Sequence, residues 1–289
     1  MSTATASLTT SPVARPLPTL VSLARADARR FARHPLFLFG AGVLVALVIA
    51  SLFQQDGGGD PAPLWPTLLV AFLLGVFGFV VAHRLTTSLR RSGDLADTAP
   101  VGQRQRTAAL CLACLVPASV GTLFIIYLIV AGLIWPPVGS PASAPVAWFG
   151  DEPDLAILAA LIATGPVAAL GGSLLGVAVA RWAPFRGSAL LGAVVLIVAT
   201  MVSSELPKPW RTLAPWIISA DERTRDGQVA SSSLVEGVSP QWYLGYVLCL
   251  CGLAVIAALL RDPVNRRPLF FVGTALAMGA IGCFTLTVS

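Results

Sequence analysis

Charged residues are scarce in this chain, and that scarcity decides its class. Only 11% of its 289 residues are Asp, Glu, Lys or Arg, whereas 56% are hydrophobic. Soluble domains carry about 25% charged residues, so a soluble fold is excluded. A helix satisfies its backbone hydrogen bonds within itself inside a bilayer, and the apolar stretches have helical length. We therefore predict an all-α integral membrane protein.

Residues that carry out intramembrane chemistry are also scarce. No apolar stretch contains a carboxylate, a lysine or a histidine away from its ends, and His34 and His83 lie where such stretches begin or end. Because these residue types mark proton relays, ion sites and retinal linkage, a proton-coupled antiporter, a retinal protein and a metal transporter are disfavoured. A secondary carrier remains a third alternative, without the paired broken helices typical of that class.

Catalytic and nucleotide-binding motifs are missing as well. The chain has no GxxxxGK[ST] loop, no HExxH and no GxSxG, so it holds no ATP in a P-loop, and a membrane protease or transferase is disfavoured. We predict that it is not an enzyme and has no cofactor or metal of its own. Cys111 and Cys114 form a CxxC pair, but within an apolar stretch we expect small buried residues rather than a zinc or disulfide site.

Seven apolar stretches are present, each near the roughly 20 residues that a helix needs to cross a bilayer. They cover residues 36–53, 64–82, 107–135, 155–180, 187–203, 242–260 and 268–287. The sequence thus predicts six to seven transmembrane helices, and the last stretch decides on which side the C terminus lies.

Two of these stretches carry further local signals. Pro117 and the Gly165–Pro166 pair are expected to kink the third and fourth helices. Small residues recur at four-residue spacing in the fourth stretch, a pattern of close helix packing; they are Ala168, Gly172, Gly176 and Ala180.

The N-terminal region divides into two parts. Residues 1–17 are rich in Ser, Thr and Pro and are predicted to be a disordered tail. Residues 18–34 predict a basic amphipathic interfacial helix that lies on the membrane surface, with basic side chains at Arg25, Arg29, Arg30 and Arg33. The alternative is a basic flank ahead of the first span. Residues 35–289 form the predicted transmembrane domain.

Arginine distribution orients the predicted helices. With the N terminus inside, fifteen arginines fall on the cytoplasmic side, and only Lys208, Arg211, Arg223 and Arg225 fall outside. The positive-inside rule therefore predicts a cytoplasmic N terminus and a cytosolic loop at 84–106. The longest outer segment is 204–241. Its PWRTLAPWII run predicts one or two short interfacial or re-entrant helices, or a simple anchor, with apolar residues at Trp210, Leu213, Trp216 and Ile217.

Three stretches resemble the membrane subunit of ATP-binding-cassette (ABC) exporters of the type-2 permease superfamily. RRFARHPLF at Arg29–Phe37 is similar to the end of that family's basic interfacial helix. RRSGDLADTAPVGQRQRTAA at Arg90–Ala109 resembles its coupling segment, and LGGSLLGVAVARWAPFRGSALLG at Leu170–Gly192 resembles its fourth-to-fifth transition. The family's basic unit has six spans, so a seventh span here is a departure.

The resemblance implies a bacterial exporter permease in the cell (inner/plasma) membrane, multi-pass, with a translocation path for an amphipathic cargo such as a drug, peptide or lipid. It implies a soluble ABC ATPase subunit that carries ATP and Mg, a second permease subunit in a homo- or heterodimer, and contact with membrane lipids, but no nucleic acid. A non-transport anchoring, assembly or sensor protein is the alternative.

The composition of the 84–106 loop fits contact with such a motor. A cap at Asp94 or Asp97 and a turn at Pro100 would frame a short helix. The expected residues for the ATPase contact are Arg90, Arg91, Asp94, Asp97, Pro100, Arg104 and Arg106. Its arginines could equally meet anionic lipid head groups, and a solvated loop without a partner is the remaining alternative.

Overall fold

The computed structural model describes residues 16–53, 69–91, 102–134, 154–185, 187–204, 206, 210–213, 221–225, 228–232, 239–262 and 266–288. These residues form an all-α membrane protein with one small hairpin. The helices are α1 Pro16–Ala32, α2 Pro35–Phe53, α3 Gly75–Arg91, α4 Gln103–Ala113, α5 Leu115–Ile134, α6 Asp154–Ile162, α7 Ala168–Trp182, α8 Ser188–Ser204, α9 Pro240–Leu260 and α10 Arg266–Val288.

The predicted apolar stretches are helical, and their lengths fit a multi-pass membrane protein. Five helical runs in the described residues are long and apolar enough to cross a bilayer, and a bent pair built from α1 and α2 raises this to six. The predicted seventh stretch is the 23-residue helix α10 and belongs to those five. Helix α8 is apolar but shorter.

The N-terminal helix meets the first apolar helix at a sharp elbow. Helix α1 begins at Pro16, two residues earlier than predicted, and turns by 60° into α2. The Phe31 and Phe37 rings meet edge to face across the elbow, with centroids 5.3 Å apart. At the start of α2, the Leu36 N–H donates to His34 Nδ1 at 3.3 Å, which caps one of the unpaired N–H groups of the first turn.

Helix breaks occur near the two predicted kink sites. The third apolar run is interrupted at Cys114, between α4 and α5. Pro117 has no N–H for the carbonyl four residues earlier, so the regular ladder fails just before it. In the fourth run, Gly165 and Pro166 lie in a π-helical turn, Ala163–Val167, that joins α6 to α7. A second π-helical turn, Val70–Leu74, leads into α3 and contacts the first.

The bundle is built around the close approach of α3 and α7. A Cβ on Gly172 would lie 2.5 Å from the Gly75 carbonyl oxygen, and one on Gly176 would lie 2.9 Å from the Phe79 Cα. Only glycine fits at this spacing, which confirms the predicted small-residue pattern. Helix α7 also packs against α5, α8 and α9. It is therefore the central helix of the bundle.

The last two helices form an antiparallel pair at the edge of the bundle. The Ser239 N–H, before α9, donates to the carbonyl of Thr287 near the end of α10 at 3.1 Å. A Cβ on Gly245 would lie 3.0 Å from Cys283 Sγ, and one on Gly252 would lie 2.9 Å from Leu276. Most of α10 lies outside the core, with Phe271 and Met278 among its exposed side chains.

The 204–241 segment differs from its prediction. Its described residues contain a 3-10 turn, Trp210–Leu213, within the predicted PWRTLAPWII run, and an antiparallel hairpin of β1 Asp221–Arg225 with β2 Gln228–Ser232, which was not predicted. The Tyr246 hydroxyl of α9 donates to the Leu213 carbonyl at 3.0 Å and holds the turn against the bundle. Trp216 and Ile217 lie outside the described residues.

Candidate functional site

Two polar contacts lie at one end of the bundle, which we call the arginine-rich end. At this end α3, α7 and α9 finish, and α4, α8 and α10 begin. Both contacts are buried and join helices that are distant in sequence. Elsewhere in the described core, the hydroxyls of Thr164 and Ser173 donate to carbonyls of their own helices.

The first contact joins α3 to the start of α8. His83 Nε2 lies 2.8 Å from Ser188 Oγ, and both residues are buried. The Ser188 hydroxyl also donates to the Phe185 carbonyl at 2.9 Å. Since that bond uses its only proton, Ser188 Oγ accepts from a His83 ring protonated at Nε2. The ring stacks on Phe79, and its Nδ1 has no hydrogen-bond partner in the described part of the chain.

The second contact joins α7 to Asp262, the second residue after α9. Arg181 Nη2 donates to Asp262 Oδ1 at 2.6 Å, and the two residues are only 4% and 5% exposed. Arg181 lies in the last turn of α7, where the helix dipole favours a cation. The Arg266 Nε donates to the Asp262 backbone carbonyl at 3.1 Å and brings in the start of α10.

Gln103, the first residue of α4, completes this contact. The groups around its side-chain amide assign the orientation in which the oxygen faces Arg181; the amide then accepts from Arg181 Nη1 at 3.0 Å and donates to Asp262 Oδ1 at 3.3 Å. Arg181 Nε and Asp262 Oδ2 still lack hydrogen-bond partners within the described ranges. One buried ion pair and one amide therefore hold α4, α7 and α9 together.

Together the two contacts attach both flanks of the predicted coupling segment. Helix α3 contains the start of that segment and is bound to α8, and α4 contains its end and is bound to α7. Helices α7 and α8 are themselves consecutive, joined by a short turn in which Gly187 has a φ of 94°. A displacement of the segment would therefore act on both sides of the α7–α8 turn.

The structure places only part of the predicted ATPase-contact set. Arg104 and Arg106 lie in the first turn of α4 and are half-buried. Arg90 and Arg91 are the last residues of α3, so helix extends further into the 84–106 loop than expected. Asp94, Asp97 and Pro100 lie outside the described residues.

The predicted interfacial arginines share the outer side of α1. Arg25, Arg29, Arg30 and Arg33 are all exposed. The opposite side of α1 packs against α4, and Asp27 and Phe31 are buried there. Burial raises the pKa of Asp27, and Arg30, 3.7 Å away, partly opposes that rise. Helix α1 is thus positioned beside the start of α4.

Sequence reasoning missed the residues that form the two contacts. The sequence identifies His83 only as a residue at the end of an apolar stretch and Arg181 only as one of the fifteen arginines on the cytoplasmic side, and it predicts no role for Gln103, Ser188 or Asp262. The missed signal was that Arg181 and Asp262, of opposite charge, each lie within two residues of the end of a long apolar helix. Cys111 and Cys114 are free and buried, as expected.

No group of three or more His, Cys, Asp or Glu side chains in the described ranges could hold a metal ion. Comparisons with models of known protein families, with curated proteins and with solved structures find no match to this chain.

Proposed function

We propose that this chain is the membrane subunit of an ATP-driven exporter, with a translocation path for an amphipathic cargo and a separate ATPase subunit docked on the segment between α3 and α4. In this proposal the arginine-rich end faces the cytoplasm. The chain supplies the path and the mechanical linkage, and the ATPase subunit supplies ATP and Mg.

The observation that carries the proposal is the attachment of both flanks of the segment. A motor does work on a membrane protein only if its contact is rigidly joined to the spans. His83 binds Ser188 on one flank, and Gln103 binds Arg181 and Asp262 on the other. A push on the segment would reach α7, the central helix, through both contacts.

Unpaired polar atoms in these two contacts support the idea that the helices they join shift relative to one another. His83 Nδ1, Arg181 Nε and Asp262 Oδ2 are buried without hydrogen-bond partners among the described residues. Unsatisfied buried polar atoms are rare in proteins and call for a reason. Exchange of partners when the helices shift would supply one, because spare donors and acceptors let a second arrangement form.

Co-purification tests the proposal. The tagged protein would be extracted from its native membrane in mild detergent, and soluble ATPase subunits that remain bound would be identified by mass spectrometry. We expect a nucleotide-binding subunit with the wild type and its loss when Arg90, Arg91, Asp94 and Asp97 are all changed to Ala. The matched control changes Asp221, Glu222, Arg223 and Arg225 of β1 to Ala, which likewise removes two acids and two arginines, and should retain the subunit.

A wild-type protein that brings down no ATPase contradicts the proposal. An ATPase that remains bound to the fourfold variant at the wild-type level contradicts the assigned contact.

The rival function, a membrane anchoring or assembly protein, is favoured by hydroxyls such as Thr164 and Ser173 that bond within their own helices and offer nothing to a cargo. ATP-dependent efflux of a fluorescent amphipathic dye from reconstituted vesicles would separate the two functions.

A further inference from the structure

A patch at the arginine-rich end, made of Trp182, Arg261 and Arg266, has the composition of a lipid head-group site. Trp182 is the last residue of α7, Arg261 follows α9, and Arg266 begins α10. All three are exposed, yet each is fixed by a contact across helices. The patch lies beside the Arg181–Asp262 contact and is joined to it by the bond from Arg266 to the Asp262 carbonyl.

Trp182 is anchored by its indole N–H, which donates to the Ala257 carbonyl at 2.8 Å. Ala257 lies in the last turn of α9, where carbonyls lack partners within the helix. The indole is therefore held across the end of α9 while 54% of the residue stays exposed. A tryptophan with one bonded edge and an exposed face is typical of the membrane–water interface.

Arg261 lies over the face of this indole, with its guanidinium carbon 5.5 Å from the ring centroid. The ring restricts the guanidinium by a cation–π contact but leaves its N–H donors available. Arg266 is held by a hydrogen bond instead, since its Nε donates to the Asp262 carbonyl at 3.1 Å. Two guanidinium groups are thus held on neighbouring helix ends before any ligand arrives.

Charge at this patch is not balanced by carboxylates in the part of the chain that the structure describes. The Asp262 carboxylate is taken by Arg181, and neither Arg261 nor Arg266 forms an ion pair with a carboxylate of the described residues. Arg267 adds a third exposed cation in the first turn of α10. Beyond the cations, the exposed rings of Phe185, Phe270 and Phe271 offer an apolar surface.

We infer that Trp182, Arg261 and Arg266 form a binding site for the head group of an anionic phospholipid. The phosphodiester accepts hydrogen bonds from the two guanidinium groups, and the acyl chains lie against the exposed aromatic rings. A phosphate bound by arginine supplies the missing negative charge, and the apolar surface selects a lipid over a free anion. The site is independent of the exporter proposal.

The test titrates phosphatidylglycerol into the purified full-length protein in zwitterionic detergent. Thermal unfolding of the protein reports stabilisation, and native mass spectrometry reports how much lipid stays bound. Phosphatidylcholine and inorganic phosphate are titrated in parallel. We expect stabilisation and saturable binding with phosphatidylglycerol alone. R261Q with R266Q should weaken this binding about fivefold per arginine.

Two further variants distinguish a site whose groups are held in place from a surface that binds lipid through its positive charge alone. Trp182→Leu keeps the net charge but removes the ring that orients Arg261, so it should also weaken phosphatidylglycerol binding severalfold. R223Q with R225Q removes the same charge from β1 and should change binding less than twofold. Should the double variant R261Q/R266Q not fold, R261Q alone, an exposed position, decides the same question.

Equal effects of R223Q/R225Q and R261Q/R266Q would overturn the inference, and so would unchanged binding by Trp182→Leu. Displacement of the lipid by inorganic phosphate, or equal binding of phosphatidylcholine, would also overturn it.

Discussion

The Arg181–Asp262 ion pair couples two helix ends at the cost of burying two charges. Removal of one partner from such a pair leaves a buried charge without compensation and typically costs about 3–5 kcal/mol. Replacement of both partners by apolar side chains of similar size is often neutral or stabilising. Its stability contribution is therefore conditional on both partners being present.

A double-mutant cycle tests this at the residue scale. We expect Arg181→Met to lower the free energy of unfolding by about 3–5 kcal/mol, because the Asp262 carboxylate stays buried. Adding Asp262→Leu should recover most of that loss. Thermal or denaturant unfolding in detergent measures the two single variants, Arg181→Met and Asp262→Leu, and the double variant. As a control, Arg29→Met removes an exposed arginine that forms no ion pair among the described residues and should change stability by less than about 0.5 kcal/mol. A cycle with no coupling would contradict the expectation.

His34 provides a pH-dependent contribution at the elbow between α1 and α2. Burial, with a smaller effect of Arg84, lowers the pKa of His34 below its usual 6.5. The folded protein therefore favours the neutral ring, whose Nδ1 accepts from the Leu36 N–H. This contribution is present above the ordinary pKa and is lost as the pH falls through the lowered one.

Loss of this cap should be visible only at higher pH. We expect His34→Ala to cost about 1 kcal/mol at neutral pH, the usual value of a helix cap, and to cost less as the pH falls. His34→Asn keeps a good cap without a titrating ring, so its stability should not show this pH dependence. Unfolding measured across pH for the three proteins checks the expectation, which a pH-independent loss in His34→Ala would refute.

Single residues were predicted well where local pattern controls them. Gly172 and Gly176 could be assigned to helix packing because their spacing alone places them on one side of a helix. Arg181, Asp262 and Gln103 could not be paired, because their contact depends on where three helix ends meet in space. Nothing in the local sequence of any one of them encodes that meeting.

Among the elements, the α3–α7 contact has the least room for added atoms. A Cβ at Gly172 would press on the Gly75 carbonyl oxygen and carbon, which are backbone atoms that cannot rotate away. Helical Gly→Ala changes normally stabilise by about 1 kcal/mol, but overpacking costs about 1–3 kcal/mol. The steric term should therefore win at this position.

We expect Gly172→Ala to lower the melting temperature in detergent and Gly42→Ala, which has no atom within 4 Å of the added Cβ, to leave it unchanged or raise it. Both changes add one methyl group to a helix, so their difference reports on packing. If Gly172→Ala were as stable as Gly42→Ala, the close approach of α3 and α7 would be wrong.

Helix positions could be read from the sequence more reliably than helix ends. The apolar stretches became helices because a helix of about 20 apolar residues is the element that a bilayer selects. Helix α3 continues to Arg91 because HRLTTSLRR contains no glycine or proline to stop it. The hairpin was missed although Asp226–Gly227, a dipeptide that favours tight hairpins, separates its strands.

At the scale of the whole molecule, the orientation in the membrane is the prediction on which the exporter proposal depends. We expect a cysteine introduced at Ser231, in β2, to react with a membrane-impermeant maleimide in intact cells. A cysteine at Ser92 should react only after permeabilisation, because the positive-inside rule places it in the cytoplasm.

The five native cysteines would first be replaced, since Cys249 and Cys283 are partly exposed. Labelling of Ser92→Cys from outside intact cells would invert the topology and remove the basis for a cytoplasmic motor. Labelling of neither position in intact cells would show that the hairpin does not face outward.

The α3–α7 pairing also determines when the bundle can pack during translation. Roughly a hundred residues separate Gly75 from Gly172, and at about 5–20 residues per second the ribosome needs roughly 5–20 s to make them. Throughout that interval the side of α3 that contains Gly75 is in the lipid without α7 packed against it. A chaperone or insertase that shields nascent helices would therefore act between these two events.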